Sequence, residues 1–206
     1  MSGRPLQRID RALHSHMDLG EALRTAGDGH VVDRSQFNPA RVPAYLLPWI
    51  SKWLAVGDQH AIEDLECMVF GQELVNFFGQ ELTGRMLSDM RSKVRADYLM
   101  RMSQLCLNEL RPVFVRSSVV FSSGDVVNTS HTLYPVRRRH NYSLLLLTQI
   151  RDGEQAYSGI PFEAYPVQAE NDYLLLDKIG DWPLEEIAAL ESSQAFKTVA
   201  KSARTV

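Results

Sequence analysis

The sequence has few of the features that usually announce a function. It holds two cysteines, Cys67 and Cys106, far apart in the chain. Metal centres and redox pairs draw on closely spaced thiols and histidines, so no metal site is expected. Both cysteines sit in apolar surroundings and read as buried, reduced thiols that pack as small hydrophobic side chains. No apolar run approaches the roughly 20 residues that span a bilayer; the longest, YLLPWI and SLLLLT, fall far short. No charge of one sign dominates, since 22 Lys and Arg against 25 Asp and Glu leave a net charge of −3. Nucleic acid and anionic membrane surfaces are therefore not expected partners. The opening MSGRPLQRIDRALHSHMD lacks an apolar signal core, and Ser2 stands where N-myristoylation requires glycine. Together with the reduced thiols, this predicts a cytoplasmic protein.

Catalytic motifs are missing too. There is no G-x-S-x-G elbow, no glycine-rich phosphate loop and no H-E-x-x-H. Glu63, Asp64 and Glu66 cluster, but neighbouring carboxylates on a strand do not by themselves make an acid/base pair. They read as a solvated edge, and no catalytic residue is assigned.

What is present suits a folded domain: 206 residues, 45% of them apolar and 23% charged, enough to bury a real core. Residues 1–34 form an N-terminal helical extension. Its helix over 1–27 carries Leu6, Ile9, Leu13, His16, Gly20 and Leu23 at spacings of three and four, and Gly27-Asp28-Gly29 ends it. That stripe serves either a helix lying on its own domain or a dimer contact. The segment HVVDRSQFNPARVPAYLLP follows, with Asn38 placed to cap a turn starting at Pro39 and Tyr45, Leu46 and Leu47 expected inside. Residues 49–56 and 61–70 read as two strands joined at Gly57-Asp58, with helix as the alternative for both and the register of the second open.

At 71–90 stands GQELVNFFGQELTGRMLSDM, two short helical pieces punctuated by Gly71, Gly79 and Gly84. A long helix is predicted over 91–110, with Val94, Tyr98, Met102, Leu105 and Cys106 on one stripe. Arg95 and Arg101 flank it with their charges in water, and Pro112 bars its continuation. Three strands come next, over 113–121, 126–136 and 142–150. The first pair is joined by Ser122-Ser123-Gly124-Asp125 and the second by a basic turn at 137–141. The run Leu144 to Leu147 suits a central strand buried on both faces. Arg151-Asp152-Gly153 closes it. Residues 153–206 form a C-terminal extension, loop-like over 154–180 apart from an edge element at Tyr173–Leu176. Its helix covers about 183–197, with Asp181 as cap and Pro183 in the first turn.

Strand, strand, short helices, long helix and three antiparallel strands is the order of a PAS domain. The wording of FNPARVPAYLLPWI, of Gly79-Gln80-Glu81-Leu82-Thr83-Gly84-Arg85, of Arg111-Pro112 and of LYPVRR resembles the PAS-type family widespread in α-proteobacteria, over about residues 35–152. The resemblance implies an α+β fold: a five-stranded antiparallel sheet with short helices and one long helix on one face, here with N- and C-terminal helical extensions. It also implies a sensory or regulatory protein.

PAS-type cofactors find little support in the residues. No His lies between His60 and His131 to serve as an axial haem ligand, and Met102 on an apolar stripe reads as core. Neither LECMV nor QLCLN matches the Asn-Cys-Arg of flavin-adduct domains. The cofactor is left unknown, with haem and flavin disfavoured. A small ligand would lie between sheet and long helix, with Tyr98, Met102, Arg116, His131 and Tyr134 as candidate pocket residues; each also has a bland reading as core or exposed surface. The run Arg137-Arg138-Arg139-His140 lacks the downstream glycine of a PilZ-type nucleotide site, and reads as a solvated turn or a docking patch for an acidic partner. The function expected is signalling by protein–protein contact, with a small ligand or a partner protein as input and a homodimer as the assembly. A ligand-free adaptor and a small α+β enzyme or carrier are the alternatives.

Overall fold

The computed structural model describes residues 11–58, 61–121, 126–139, 141–150, 161–165 and 173–192. The first turns of the N-terminal helix, the Ser122–Asp125 turn, His140, the closing 151–153 turn and the helix beyond 192 lie outside the described residues. In chain order the elements are α1 (Arg11–Leu23), β1 (Val32–Asp33), β2 (Ile50–Asp58), β3 (Ala61–Phe70), α2 (Gln72–Phe78), α3 (Lys93–Glu109), β4 (Val113–Phe121), β5 (Val126–Arg138), β6 (Asn141–Ile150), β7 (Pro161–Tyr165), β8 (Tyr173–Leu175) and α4 (Leu184–Ser192). The fold is α+β. One eight-stranded sheet runs β3-β2-β6-β5-β4-β7, with β8 also on β4 and β1 on β5. All pairings are antiparallel except β1 with β5, a parallel match of Val32 and Asp33 to Val136 and Arg137.

The sheet exceeds the five strands expected. β8 is the expected edge element and pairs Val113–Val115. β7 arises in a stretch read as loop and pairs the other half of β4. One long strand thus carries two short ones on its outer edge, which covers backbone groups that would otherwise template association.

The leucine run explains the centre of the sheet. β6 lies between β2 and β5. Leu144 and Leu146 join the core under α3, while Leu145 and Leu147 join the core under α1. With both faces covered, alternation is unnecessary and four consecutive leucines are all buried. β5 tolerates Pro135 for a related reason. Arg137 turns its carbonyl to the β1 segment, accepting from Arg34 N–H at 3.0 Å. Pro135, two positions back, faces the same edge in the gap between the end of β4 and the start of β1, so its missing N–H costs no ladder bond.

The uncertain register of β3 has a physical origin. Its pairing with β2 shifts at two places, skipping Glu63 and Met68. Each bulge adds one residue and flips the face. Ile62, Leu65, Cys67 and Phe70 therefore all point inward at spacings that strict alternation forbids.

α1 stops at Leu23, short of the predicted glycines. The Asp28 carboxylate then accepts from the His30 and Val31 N–H groups and turns the chain. Leu13, His16, Leu19, Gly20 and Leu23 are buried against β5 and β6, so this stripe serves the helix's own domain. Ahead of β2, Asn38 caps the Pro39–Arg41 turn as expected. Of the next three bulky residues only Leu46 is buried; Tyr45 and Leu47 are exposed, because a 3-10 turn over Ala44–Trp49 presents one side chain in three to the core.

The second predicted short helix is a single 3-10 turn at Leu87–Asp89. Gly79 ends α2 in the left-handed region at φ 60. Gly71 starts it where a Cβ would lie 2.2 Å from the Pro48 carbonyl oxygen.

α3 begins at Ser92, whose hydroxyl accepts from Arg95 N–H, and ends with Leu110 left-handed. The buried face differs from the stripe read in sequence. Val94 is exposed, while Arg95, Ala96, Tyr98, Leu99, Ser103, Cys106 and Leu107 face the sheet. The basic run is also corrected: β5 continues through Arg138, and Arg139 is left-handed at φ 42. α4 opens with Ile187 N–H donating to the Pro183 carbonyl. It packs Ile187 and Leu190 with Leu13, Phe114 and Leu176, on the α1 side of the sheet.

Gly71→Ala is expected to lose about 1–3 kcal/mol of stability by overpacking against fixed backbone. Urea unfolding measures it, and an unchanged midpoint would show that the Pro48 carbonyl yields freely.

Candidate functional site

The space between α3 and the sheet is where a ligand was expected. Trp53, Leu65, Leu87, Leu99, Ser103, Leu133, Leu144 and Leu146 surround it, and the void they leave measures about 10 Å³. That is about the room one water needs. Large side chains fill the rest: Trp53, Leu65, Leu99 and Leu146 are all buried in one cluster with the α3 face. Trp53 enters this core with its indole N–H donating to Ser51 Oγ at 2.9 Å.

A band of buried hydroxyls crosses the middle of β4, β5 and β6. On the α3 face, His131 Nε2 lies 2.8 Å from Ser117 Oγ and 3.1 Å from Thr129 Oγ1, and Nδ1 lies 2.9 Å from Thr148 Oγ1. On the opposite face, His16 of α1 reaches Ser130 Oγ and Thr132 Oγ1, each at 2.8 Å. Phe114 meets the His16 ring edge-on at 5.4 Å.

Two Ser–His contacts therefore have the spacing of a nucleophile and its base. In both, the second ring nitrogen is held by a threonine where a catalytic arrangement places a carboxylate, and all these groups are buried. Burial pushes the His131 pKa well below its ordinary value, with the nearby Arg95 and His16 adding in the same direction. Its imidazole is neutral and acts as a cross-strand hydrogen-bonding group.

Arg95 was expected to flank the α3 stripe with its charge in water, and the structure corrects this. It is buried at 5% exposure, its guanidinium lies 4.0 Å over the Phe78 ring, and its Nε has no hydrogen-bond partner. Burial pushes its pKa down to about 9, so it stays charged at neutral pH. The cation–π contact offsets part of the desolvation cost.

The five candidate pocket residues do not line one space. Tyr98 packs from α3, its hydroxyl donating to the Arg116 carbonyl at 3.3 Å. Met102 is half-buried at the edge of that core, and His131 is on the same face. Arg116 and Tyr134 lie on the other face, as strand alternation from Phe114 and the packing of Tyr134 with Leu145 and Leu147 require. Tyr134 is wholly buried against the α1 side, its hydroxyl reaching the His16 carbonyl at 3.5 Å. The sheet thus divides the set, because neighbouring strand positions face opposite ways.

Burial raises both thiols, Cys67 to about 12 and Cys106 well above the usual value. Among the described residues no group of three or more His, Cys, Asp or Glu side chains is placed to hold a metal. No helix among them is long and apolar enough to cross a membrane. No protein-family model matches the chain, and no curated protein matches it.

Two outcomes follow from these groups. The unfolded His131 titrates near its ordinary value of about 6.5 and the folded one far below. Unfolding therefore takes up a proton below about pH 6.5, and stability is complete above that pH and falls as pH drops through it. The urea midpoint should decline from about pH 7 to about pH 5.5, and the decline should be shallower in His131→Gln. Arg95→Met should leave stability unchanged or raise it by about 1–4 kcal/mol, as apolar replacement of buried ionic groups often does. A clear loss would show that the guanidinium has a net stabilising role.

Proposed function

We propose that this chain is a PAS-type regulatory protein with a side-chain-filled interior, and that it works through contact with a partner protein. The observation that carries the reading is the packing of α3 on the sheet with a void of about 10 Å³ between them. A ligand pocket of ordinary size holds several hundred Å³, so binding is assigned to the outer surfaces. The topology supports the PAS-type part. β2 and β3 form the leading hairpin, the short helices and α3 follow, β4 to β6 form an antiparallel meander, and β6 sits in the centre. That is the arrangement the resemblance implies for residues 35–152. β1, β7, β8, α1 and α4 are additions around it.

The Gly79–Arg85 segment has a defined job within this arrangement. Gly84 N–H donates to the Cys67 carbonyl at 2.7 Å, and Cys67 N–H donates to the Arg85 carbonyl at 2.9 Å. Thr83 Oγ1 accepts from Phe70 N–H at 3.1 Å. The segment binds along β3 and covers part of that sheet edge, consistent with a structural origin for the wording shared with PAS-type domains.

Native mass spectrometry of the protein purified from its own host tests the reading. The expected result is a mass equal to the polypeptide alone, or to a whole number of copies. Extra mass that disappears on denaturation would overturn the filled-interior reading in favour of a ligand sensor.

A further inference from the structure

The fold gathers positive charge at one end of the sheet. β5 and β6 stay paired as far as Arg138 and Asn141. β1 lies parallel beside the end of β5 and sends Arg34 out next to it, tied by the Arg34 N–H to Arg137 carbonyl bond. Asp33, Arg34, Ser35, Arg137, Arg138 and Arg139 line an open cleft of about 610 Å³.

The carboxylates nearby are already engaged. Asp28 takes Arg137 at 3.1 Å, and Asp33 accepts from both the N–H and the hydroxyl of Ser35. Among the described residues, Arg34, Arg138 and Arg139 have no carboxylate within ion-pair distance, and neither does Lys52 of β2. Lys52 is half-buried. Its pKa is lowered by burial first, then by Arg34 and Arg138, so these cations share one uncompensated field. In a chain of net charge −3, that concentration has to be kept against mutual repulsion.

We infer that this cleft is the partner-docking surface and that it takes an acidic peptide segment of another protein, held by Arg34, Arg138 and Arg139. Three features select a peptide. The arginines are exposed on long flexible stems around an open groove, which suits a chain of spaced carboxylates with bidentate Arg contacts. Among the described residues, no aromatic side chain lines the cleft to stack a base, as single-stranded nucleic acid needs. Among the described residues that line it, none belongs to a helix whose N-terminus could hold a small phosphate. The inference rests on the partner-contact reading above and gives that partner a site and a charge.

Fluorescence anisotropy with a fluorescein-labelled octaglutamate peptide and the whole chain is the test. Saturable binding is expected at about 25 mM NaCl, weakening about tenfold or more by about 150 mM as screening predicts. Arg138→Glu with Arg139→Glu should weaken binding at least about tenfold. Arg85→Glu with Arg91→Glu, an equal charge change at exposed positions outside the cleft, should leave it within about twofold. Absence of saturable binding at low salt, or equal loss in both double variants, would overturn the site. Displacement of the peptide by inorganic pyrophosphate at an equal or lower concentration would overturn the peptide in favour of a small anion. A retained ligand in the mass spectrum would refute the filled interior and leave these binding results unchanged, so the two failures are separable.

Discussion

Everything in this molecule answers to a sheet whose middle is covered on both faces. α3 closes one side, and α1 with α4 closes the other. Backbone groups there are satisfied by the ladder, but the side chains of β4, β5 and β6 include Ser117, Thr129, Ser130, His131, Thr132 and Thr148, all buried. Each buried hydroxyl or imidazole left alone would cost on the order of 1–3 kcal/mol. The structure pairs them in two small networks, one around His131 and one around His16, on opposite faces of β5. His16 gives α1 a reason to dock in one register, since only one placement brings its ring to Ser130 and Thr132. A shift by one residue would bury an unpaired imidazole against apolar rings.

Filling follows from the same cover. With both layers seated, the core under α3 is built from Trp53, Leu65, Leu99, Leu144 and Leu146, and little volume is left over. The chemistry of the interior is correspondingly quiet: thiols raised by burial, a neutral histidine, an arginine stacked on Phe78. Exposed charge is instead found at the rim, where strand ends put it into water. The end of the sheet at Arg34, Arg138 and Arg139 is one such place, created by the parallel seating of β1 beside β5.

Much of the element order was legible. β3, β4, α3 and β6 fall close to the predicted ranges, because each is marked by strong punctuation or an unmistakable run: Gly71 after β3, Pro112 after α3, four leucines in β6. Faces were harder. The stripe drawn on α3 included Val94 and left Arg95 in water, whereas the helix is rotated so that Arg95 is buried and Val94 is exposed. Apolar periodicity finds the average face, and a guanidinium that finds an aromatic ring can be drawn inside it. β3 misled for a different reason, since two bulges scramble a period that sequence reading assumes to be constant. The candidate pocket failed on register: Arg116 and Tyr134 are chemically plausible ligand contacts that a single strand step puts on the wrong side.

The sequence alone determined what depends on neighbouring residues: the α+β class, the cap at Asn38, the stops at Gly79 and Pro112, and the two-sided burial of Leu144 to Leu147. Those are set by backbone sterics and by side-chain character within a few positions. The tertiary structure alone decided which faces meet, that Trp53, Leu65, Leu99 and Leu146 leave a void of only about 10 Å³ beside them, that His16 and His131 find hydroxyl partners, and that Arg34 comes to stand beside Arg138 and Arg139. The pairings of His16 and of Arg34 join residues about a hundred positions apart in the chain. They are fixed by packing volume and strand register, which only the assembled sheet defines.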